Sequence, residues 1–240
     1  MTTRHGGVSA GPYTSMNLRD GVGDDPAAVA RNQARLAASI CAAPVYLNQV
    51  HGRRVARLTT SDARPDAARH EADACCTTES GIACTVQVAD CMPVLFAAPG
   101  AVGAAHAGWR GLAAGVLEAT LDAVCASARC PPGQVEVWLG PSIGPARFEV
   151  GADVLLAFGR DPTGSSPSSE HDGEAPLFAA LTAGKWLANL PGLARNRLRK
   201  VGVVSISGGS WCTASDASRF FSFRRDGVTG RMVAAIWLTR

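Results

Sequence analysis

No stretch of this 240-residue chain approaches the roughly 18 to 20 consecutive apolar residues that a membrane-crossing helix needs. Its first residues, Met1-Thr2-Thr3-Arg4-His5-Gly6-Gly7, lack the charged-then-apolar profile of a secretory leader, so a soluble cytoplasmic protein with no membrane partner is expected. Charge is scarce as well. Only 18% of residues are charged, the net charge is +3, and no uninterrupted run of four Lys or Arg occurs, which argues against a nucleic-acid partner. Lysine is almost missing, with Lys185 and Lys200 against 21 arginines. A coding bias explains that excess as readily as function does, so no arginine counts as functional by type alone.

Several motifs are missing too. There is no C-x-x-C, which removes the signatures of thioredoxin-like redox chemistry and of ribbon-type structural zinc. The eight cysteines, in a chain expected to stay in a reducing compartment, are therefore expected as free thiols that mostly fill core space. No strand-GxGxxG-helix word supports a dinucleotide site. The H-x-E and P-C-x-x-C words of the familiar nucleobase deaminases are absent, and the five histidines form no H-x-H pair of the multicopper kind.

What is present is a 47% hydrophobic composition suited to a compact body. The first 25 residues are rich in Gly, Ser, Thr, Asn and Asp and predict loops. Asp25 and Pro26 open a helix that runs to about Ala42, with Val29, Leu36 and Ile40 on one face and Pro44 as its stop. Strand-like runs cover 45–50, a return at 54–59, 82–88, 93–97, 101–105, 134–139, 201–206 and 232–238. A helix follows Gly111 with Leu112, Val116, Leu117, Thr120, Leu121 and Val124 inward, which leaves Glu118 and Asp122 as a solvated pair. A short helix is expected near 152–158, and a longer one over 177–198, interrupted at Pro191-Gly192. Residues 160–176 have the composition of a surface loop. The irregular alternation predicts a mixed α/β or α+β fold in one domain spanning 1–240.

Three residues that ligate metals well, His51, Cys91 and His106, each follow a strand-like run in a Gly- or Pro-flanked turn. Two imidazoles and a thiolate form a borderline-soft set that suits Zn²⁺, and three protein ligands leave a fourth position open. The words around them are Asn48-Gln49-Val50-His51-Gly52, Ala89-Asp90-Cys91-Met92-Pro93 and His106-Ala107-Gly108-Trp109-Arg110-Gly111. Alongside stand the opening Arg4-His5-Gly6-Gly7, then Asn17-Leu18, Gly140-Pro141-Ser142-Ile143-Gly144, and the closing Phe223-Arg224-Arg225-Asp226-Gly227 with Thr229-Gly230-Arg231. In this order, from residue 2 to about 237, the sequence resembles the family called YfiH, DUF152, peptidoglycan editing factor or laccase-domain polyphenol oxidase.

The resemblance implies an α+β fold, a single domain with central mixed β-sheets flanked by helices in αββα layers. It also implies one zinc on His51, Cys91 and His106, with copper as a possible alternative, and phosphorolysis of purine nucleosides (adenosine, inosine, methylthioadenosine) with adenosine deamination. The partners are then a purine nucleoside and inorganic phosphate, in a monomer or homodimer. Ser142 departs from a Cys common at that position. An amide hydrolase that edits peptidoglycan precursors, with Cys91 as nucleophile, is the alternative, and a copper polyphenol oxidoreductase is a further one. Asp90, beside the thiol, is either a proton shuttle or a carboxylate that shapes the turn. Arg4, Arg110, Arg224 and Arg231 are candidates to grip phosphate. Asn17 and Gln49 either bind a ligand or close turns, and Trp109 either packs the helix start or stacks a base.

Overall fold

The computed structural model describes residues 1–163 and 176–239. Most of the surface loop expected at 160–176 therefore lies outside the described residues. In chain order the strands and helices are α1 (Pro26–Ile40), β1 (Ala43–Val45), β2 (Val55–Arg57), β3 (Ala74–Thr77), β4 (Ile82–Val88), β5 (Met92–Ala98) and β6 (Ala101–Ala107). Then come α2 (Trp109–Ala114), α3 (Val116–Ala128), β7 (Glu136–Leu139), β8 (Glu149–Val150), α4 (Ala152–Ala157), β9 (Phe178–Thr182) and β10 (Lys185–Ala188). The chain closes with α5 (Leu190–Lys200), β11 (Ser205–Gly208), α6 (Phe223–Asp226) and β12 (Met232–Trp237). None of the described helices is long and apolar enough to cross a membrane.

Two mixed sheets form the centre. One has the order β11-β7-β5-β6-β3-β2 and the other β1-β4-β12, while β8, β10 and β9 make a small antiparallel third sheet. Alternation along the strands sorts side chains between layers. Cys75, Val102 and Ala104 point from the six-stranded sheet toward Ile82, Cys84, Val86 and Ala234 of the three-stranded one. On the opposite face Val94, Phe96 and Ala105 meet Leu117, Leu121 and Val124 of α3, and the same cluster takes in Leu190, Leu193 and Leu198 of α5. The outer face of the three-stranded sheet, at Val233 and Ala235, meets Met16, Leu18, Leu36 and Ile40. The layers thus run helix, sheet, sheet, helix. Strands covered on both faces carry no polar alternation, which is why β4 and β6 are buried along their whole length.

Gly103, in β6, is a close-approach position. A Cβ there would lie 2.8 Å from Val124 Cγ2 and 3.1 Å from the Cys75 carbonyl oxygen, so α3 rests on bare backbone. Alanine in a strand interior ordinarily gains slightly over glycine. Here the contact reverses the sign, and Gly103→Val is expected to destabilise the protein by about 1–3 kcal/mol, the range for overpacking a tight core. A urea titration with a lower midpoint and an unchanged slope checks it; an unchanged midpoint would mean that α3 does not sit on β6.

The N-terminal 25 residues hold their loop structure through one polar side chain. Asn32 of α1 is fully buried; its amide donates to Ser9 Oγ, Ser15 O and Asn17 O, and its oxygen accepts from Val8 N. Asp25 caps α1 by accepting from Ala27 N, as the sequence predicts. The helix ends earlier than expected. Cys41 takes a left-handed conformation at φ 51° and stops α1 at Ile40, while Pro44 sits inside β1.

Four further expectations change. The run at 54–59 is no return of 45–50: β2 pairs in parallel with β3, in a different sheet from β1. Residues 178–188 form a hairpin rather than the first half of a helix, because Gly184 at φ 71° turns the chain. Pro191 then starts α5 from within its first turn, where a missing N–H costs nothing, and Asn189 caps it by accepting from Gly192 N. Glu118 is no solvated partner of Asp122; it pairs with Arg197 of α5 at 2.7 Å, which ties α3 to α5. Cys41 is exposed, unlike Cys75, Cys76 and Cys84 of the core, and all eight cysteines are free.

Candidate functional site

One carboxylate organises the centre of the site. Asp73 directly precedes β3 and is fully buried. Its Oδ2 accepts from Val50 N at 3.1 Å and Gly52 N at 2.7 Å, and its Oδ1 accepts from His51 N at 2.9 Å. That wraps the 50–52 turn around it, with His51 in the left-handed region at φ 62°. The same Oδ1 lies 2.8 Å from His106 Nδ1, and the Asp73 carbonyl accepts from His106 N. With Nδ1 held by the carboxylate, Nε2 is the His106 nitrogen left for something else. His106 sits inside β6, one residue before its end, rather than in the junction after it.

Cys91 is carried by the tight β4–β5 connection, in which Asp90 has φ 88°. Its Sγ lies 3.9 Å from His51 Nε2, and the rings of His51 and His106 meet edge to face with centroids 4.8 Å apart. One ligand atom from each of the three residues falls within 4.8 Å of the others, so the cluster could hold a metal ion. Gly108 makes this approach possible. A Cβ on it would sit 2.8 Å from Cys91 Sγ and 3.1 Å from His51 Cδ2, and one on Gly111 would sit 2.9 Å from the Gly52 carbonyl oxygen. Both glycines in His106-Ala107-Gly108-Trp109-Arg110-Gly111 are therefore room for the cluster and for the 50–52 turn.

Burial opposes charge on Cys91, but the facing His106 and His51 outweigh it and bring the thiol down to about 6. Burial likewise opposes charge on His106, and Cys91 and Asp73 overcome it, raising the imidazole to about 9. Asp73 follows the same logic: burial is overcome by His106 and by the Gly52 and His51 amides, and its carboxyl stays below the usual range. The thiol is thus held ready as thiolate, the form that ligates metals.

Beside the cluster opens a cleft of about 270 Å³ lined by His51, Cys91, Trp109, Phe148, Phe223 and Arg224, among others. Trp109 is half-buried; it packs against the main core and also faces this cleft, and the Arg110 guanidinium stacks 4.3 Å from its ring centroid. Arg224 lies over Phe148 at 5.4 Å and donates from Nη1 to the Glu149 carbonyl. Asp90 is buried with both oxygens engaged: Oδ1 accepts from Thr213 Oγ1 and Oδ2 from Arg224 N, each at 2.6 Å. It thereby ties the Cys91 turn to α6.

The remaining candidates stand elsewhere. Gln49 is buried and exchanges two hydrogen bonds with the Gln87 backbone, at 2.8 and 2.9 Å. Asn17 is fully buried; its amide donates to Arg19 O and Asp24 Oδ2, and its Oδ1 accepts from Arg19 N and Arg231 N. Arg4 donates to Thr14 O and Ala217 O and lies over Phe221. None of these three lines the cleft. Arg231 stacks against Phe223, whose ring centroid is 5.7 Å away. Sequence reasoning missed Asp73, Thr213, Phe148 and Phe223. Asp73 escapes notice because β3, the strand it precedes, gives no periodic signal in Ala74-Cys75-Cys76-Thr77.

Comparison with known proteins sets this geometry in context. A family model described as multi-copper polyphenol oxidoreductase laccase matches residues 1–239. A purine nucleoside phosphorylase of Pseudomonas aeruginosa is 43% identical over 240 residues, which cover 99% of this chain and 92% of the relative. The purine nucleoside phosphorylase YfiH of Escherichia coli is 44% identical over 241 residues, with the same shares covered. Among solved structures, a DUF152 protein of Neisseria meningitidis superposes with a TM-score of 0.88 at 42% identity, covering 100% of this chain and 93% of that one. YlmD of Geobacillus stearothermophilus gives 0.88 at 34% identity, with 100% and 90% covered.

Proposed function

Because the chain belongs to the multi-copper polyphenol oxidoreductase laccase family, together with the YfiH and DUF152 proteins it resembles throughout its length, we propose that it is a zinc-dependent purine nucleoside phosphorylase that also deaminates adenosine, with residues 1–240 acting as one catalytic domain. The convergence of His51, Cys91 and His106 beside an aromatic-walled cleft carries this reading. The donor set fits the metal: two imidazoles and a thiolate are borderline-soft, and the Asp73 bond to His106 Nδ1 is the outer-sphere partner that metal-ligating imidazoles usually have. A bound zinc supplies Lewis acidity at neutral pH, which the hydrolytic loss of an amino group requires.

The chain's own groups do the rest. Trp109, Phe148 and Phe223 line the cleft and supply aromatic surface for a planar base to pack against. The cleft lies near the lower end of the ~300–1,000 Å³ usual for small-molecule sites, a scale that suits a nucleoside. Asp90 holds the cleft wall in place through Thr213 and Arg224, a positioning role in which each of its oxygens accepts one hydrogen bond. In phosphorolysis an oxygen of inorganic phosphate bonds to C1′ as the bond from C1′ to the base nitrogen breaks; the electron pair leaves with the base, which takes up a proton. The zinc-loaded protein is therefore expected to turn over inosine only with inorganic phosphate, releasing ribose 1-phosphate and hypoxanthine in equal amounts. Free ribose formed without phosphate would point to a hydrolase.

One observation favours a second reading. Cys91 beside His51, and His106 on Asp73, are also the parts of a thiol hydrolase. An amide hydrolase acting on peptidoglycan precursors would cleave a UDP-muramoyl amino acid in the chelator-treated protein and be inhibited by added zinc; a phosphorylase would show the reverse. The copper oxidoreductase that the family description names has less behind it. Among the described residues one cluster gathers two imidazoles, far fewer than a multicopper centre uses.

A further inference from the structure

Arg231 is a half-buried cation without a carboxylate partner. Its Nη1 donates to the carbonyls of Thr229 and Gly230, which leaves the Nε–H and Nη2 edge without a hydrogen bond among the described residues. That edge is the one with which arginine grips an oxyanion by two parallel bonds. Arg19 stands beside it. Both backbone N–H groups donate to the same oxygen, Asn17 Oδ1, at 3.1 and 2.9 Å, and Leu18 N donates to Arg231 O. The Arg19 guanidinium has no hydrogen bond among the described residues, and the two like charges are close enough to disfavour each other. Two cations placed together with no carboxylate hydrogen-bonded to either among the described residues are a standing cost that an anion joining them would relieve. Neither arginine lines the cleft itself, but Arg231 packs against Phe223, which does, and the charges of Cys91 and Asp90 reach it.

We infer that Arg19 and Arg231 form the phosphate subsite of the cleft, with the side edge of Arg231 holding two phosphate oxygens and Arg19 completing the charge. The inference rests on the phosphorolysis reading above and names where its second substrate sits. Arg4 is committed to backbone carbonyls and a ring, Arg224 to Glu149 O and Phe148, and Arg110 is stacked on Trp109. Arg19 and Arg231 differ from these in sharing one buried anchor. The polar face they present is held by a fully buried amide rather than by a surface loop.

The test uses the zinc-loaded full-length protein with inorganic phosphate as the probe. Arg19→Gln removes a side chain with no hydrogen bond among the described residues, so it is expected to fold; Arg231→Lys keeps a charge but loses the two-pronged edge. Each is expected to raise the KM for phosphate by about 10-fold or more, the scale of one charge-assisted hydrogen bond, while the KM for inosine moves less than about twofold. Arg31→Gln, on the exposed face of α1, controls for net charge and is expected to leave both constants in place. An unchanged phosphate KM in both subsite variants overturns the assignment. Phosphate is also expected to raise the melting temperature of the parent protein, relative to chloride at equal ionic strength, and to do so much less in Arg19→Gln. That second readout separates the two ideas. If the parent protein fails to turn over inosine with phosphate, the phosphorolysis reading fails, yet a melting shift lost in Arg19→Gln still supports the anion site. A shift equal in both proteins overturns the site.

Discussion

Alanine at His51, Cys91 or His106 is expected to strip the protein of bound zinc and of nucleoside turnover together. Each residue offers one donor atom to the cluster, so each change leaves two protein ligands. Partners that merely orient a ligand are worth about 10–100-fold in metal affinity, and a ligand itself should exceed that. The three variants differ in what else they disturb. His51 is exposed and its backbone is pinned by Asp73 through N–H groups rather than through the ring, so His51→Ala should lose metal at nearly parental apoprotein stability. His106 is buried against Asp73, so His106→Ala also opens a void and deprives the carboxylate of a partner; losses of a few kcal/mol are typical of such buried deletions. Cys91→Ala lies between. Metal content by elemental analysis, paired with denaturant melts of chelator-treated protein, reads both quantities. Stoichiometric zinc in any of the three variants defeats the ligand assignment. Metal loss in His51→Ala together with collapse of the apoprotein would mean that the turn needs the imidazole and that the pinning by Asp73 is insufficient.

How much of this was legible in the sequence depends on whether a residue's partners are near it in the chain. The helix cap at Asp25 and the strands at 82–88 and 232–238 follow from local words, the gathering of His51, Cys91 and His106 follows from the family resemblance, and the structure has each of them. The hairpin at 178–188 does not. Leu177 and Leu181, four apart, fit a helical repeat as well as a strand one, and Gly184, a turn residue amid apolar neighbours, speaks for the hairpin. Glu118 looked solvated because Arg197, its partner, lies on another helix. Asn17 and Gln49 carry the same amide whether they bind a ligand or a backbone. Their partners sit between 2 and 214 positions away, which no local pattern contains. The same limit hid Asp90's bond to Thr213 and Asp73's hold on His106. Polar residues that assemble a site from distant segments are the ones that spacing along the chain does not reveal.

Asp73 should accordingly be among the most sensitive positions in the protein, although it lines no cleft. Four donors converge on its two oxygens: His51 N and His106 Nδ1 on Oδ1, Val50 N and Gly52 N on Oδ2. Asparagine has one acceptor oxygen, and its amide nitrogen carries two hydrogens of its own. Whichever way Asp73→Asn is turned, two donors face an NH₂ group instead of a lone pair. Alanine leaves all four unmet. Orphaned buried donors cost about 1–3 kcal/mol each, and breaking a buried charged pair about 3–5 kcal/mol. Both variants are therefore expected to lose about 3–5 kcal/mol, alanine the more if water does not fill the space. Zinc affinity should fall by about 10–100-fold in whatever protein remains folded, since His106 loses the partner that fixes its tautomer and His51 loses its turn. Glutamate in the same place is a sharper probe than either. It keeps the charge but is one methylene longer in a fully buried position, so it should recover little of the affinity if geometry is what Asp73 supplies. Parental zinc affinity in a folded Asp73→Asn protein would show that the two histidines hold their places without it.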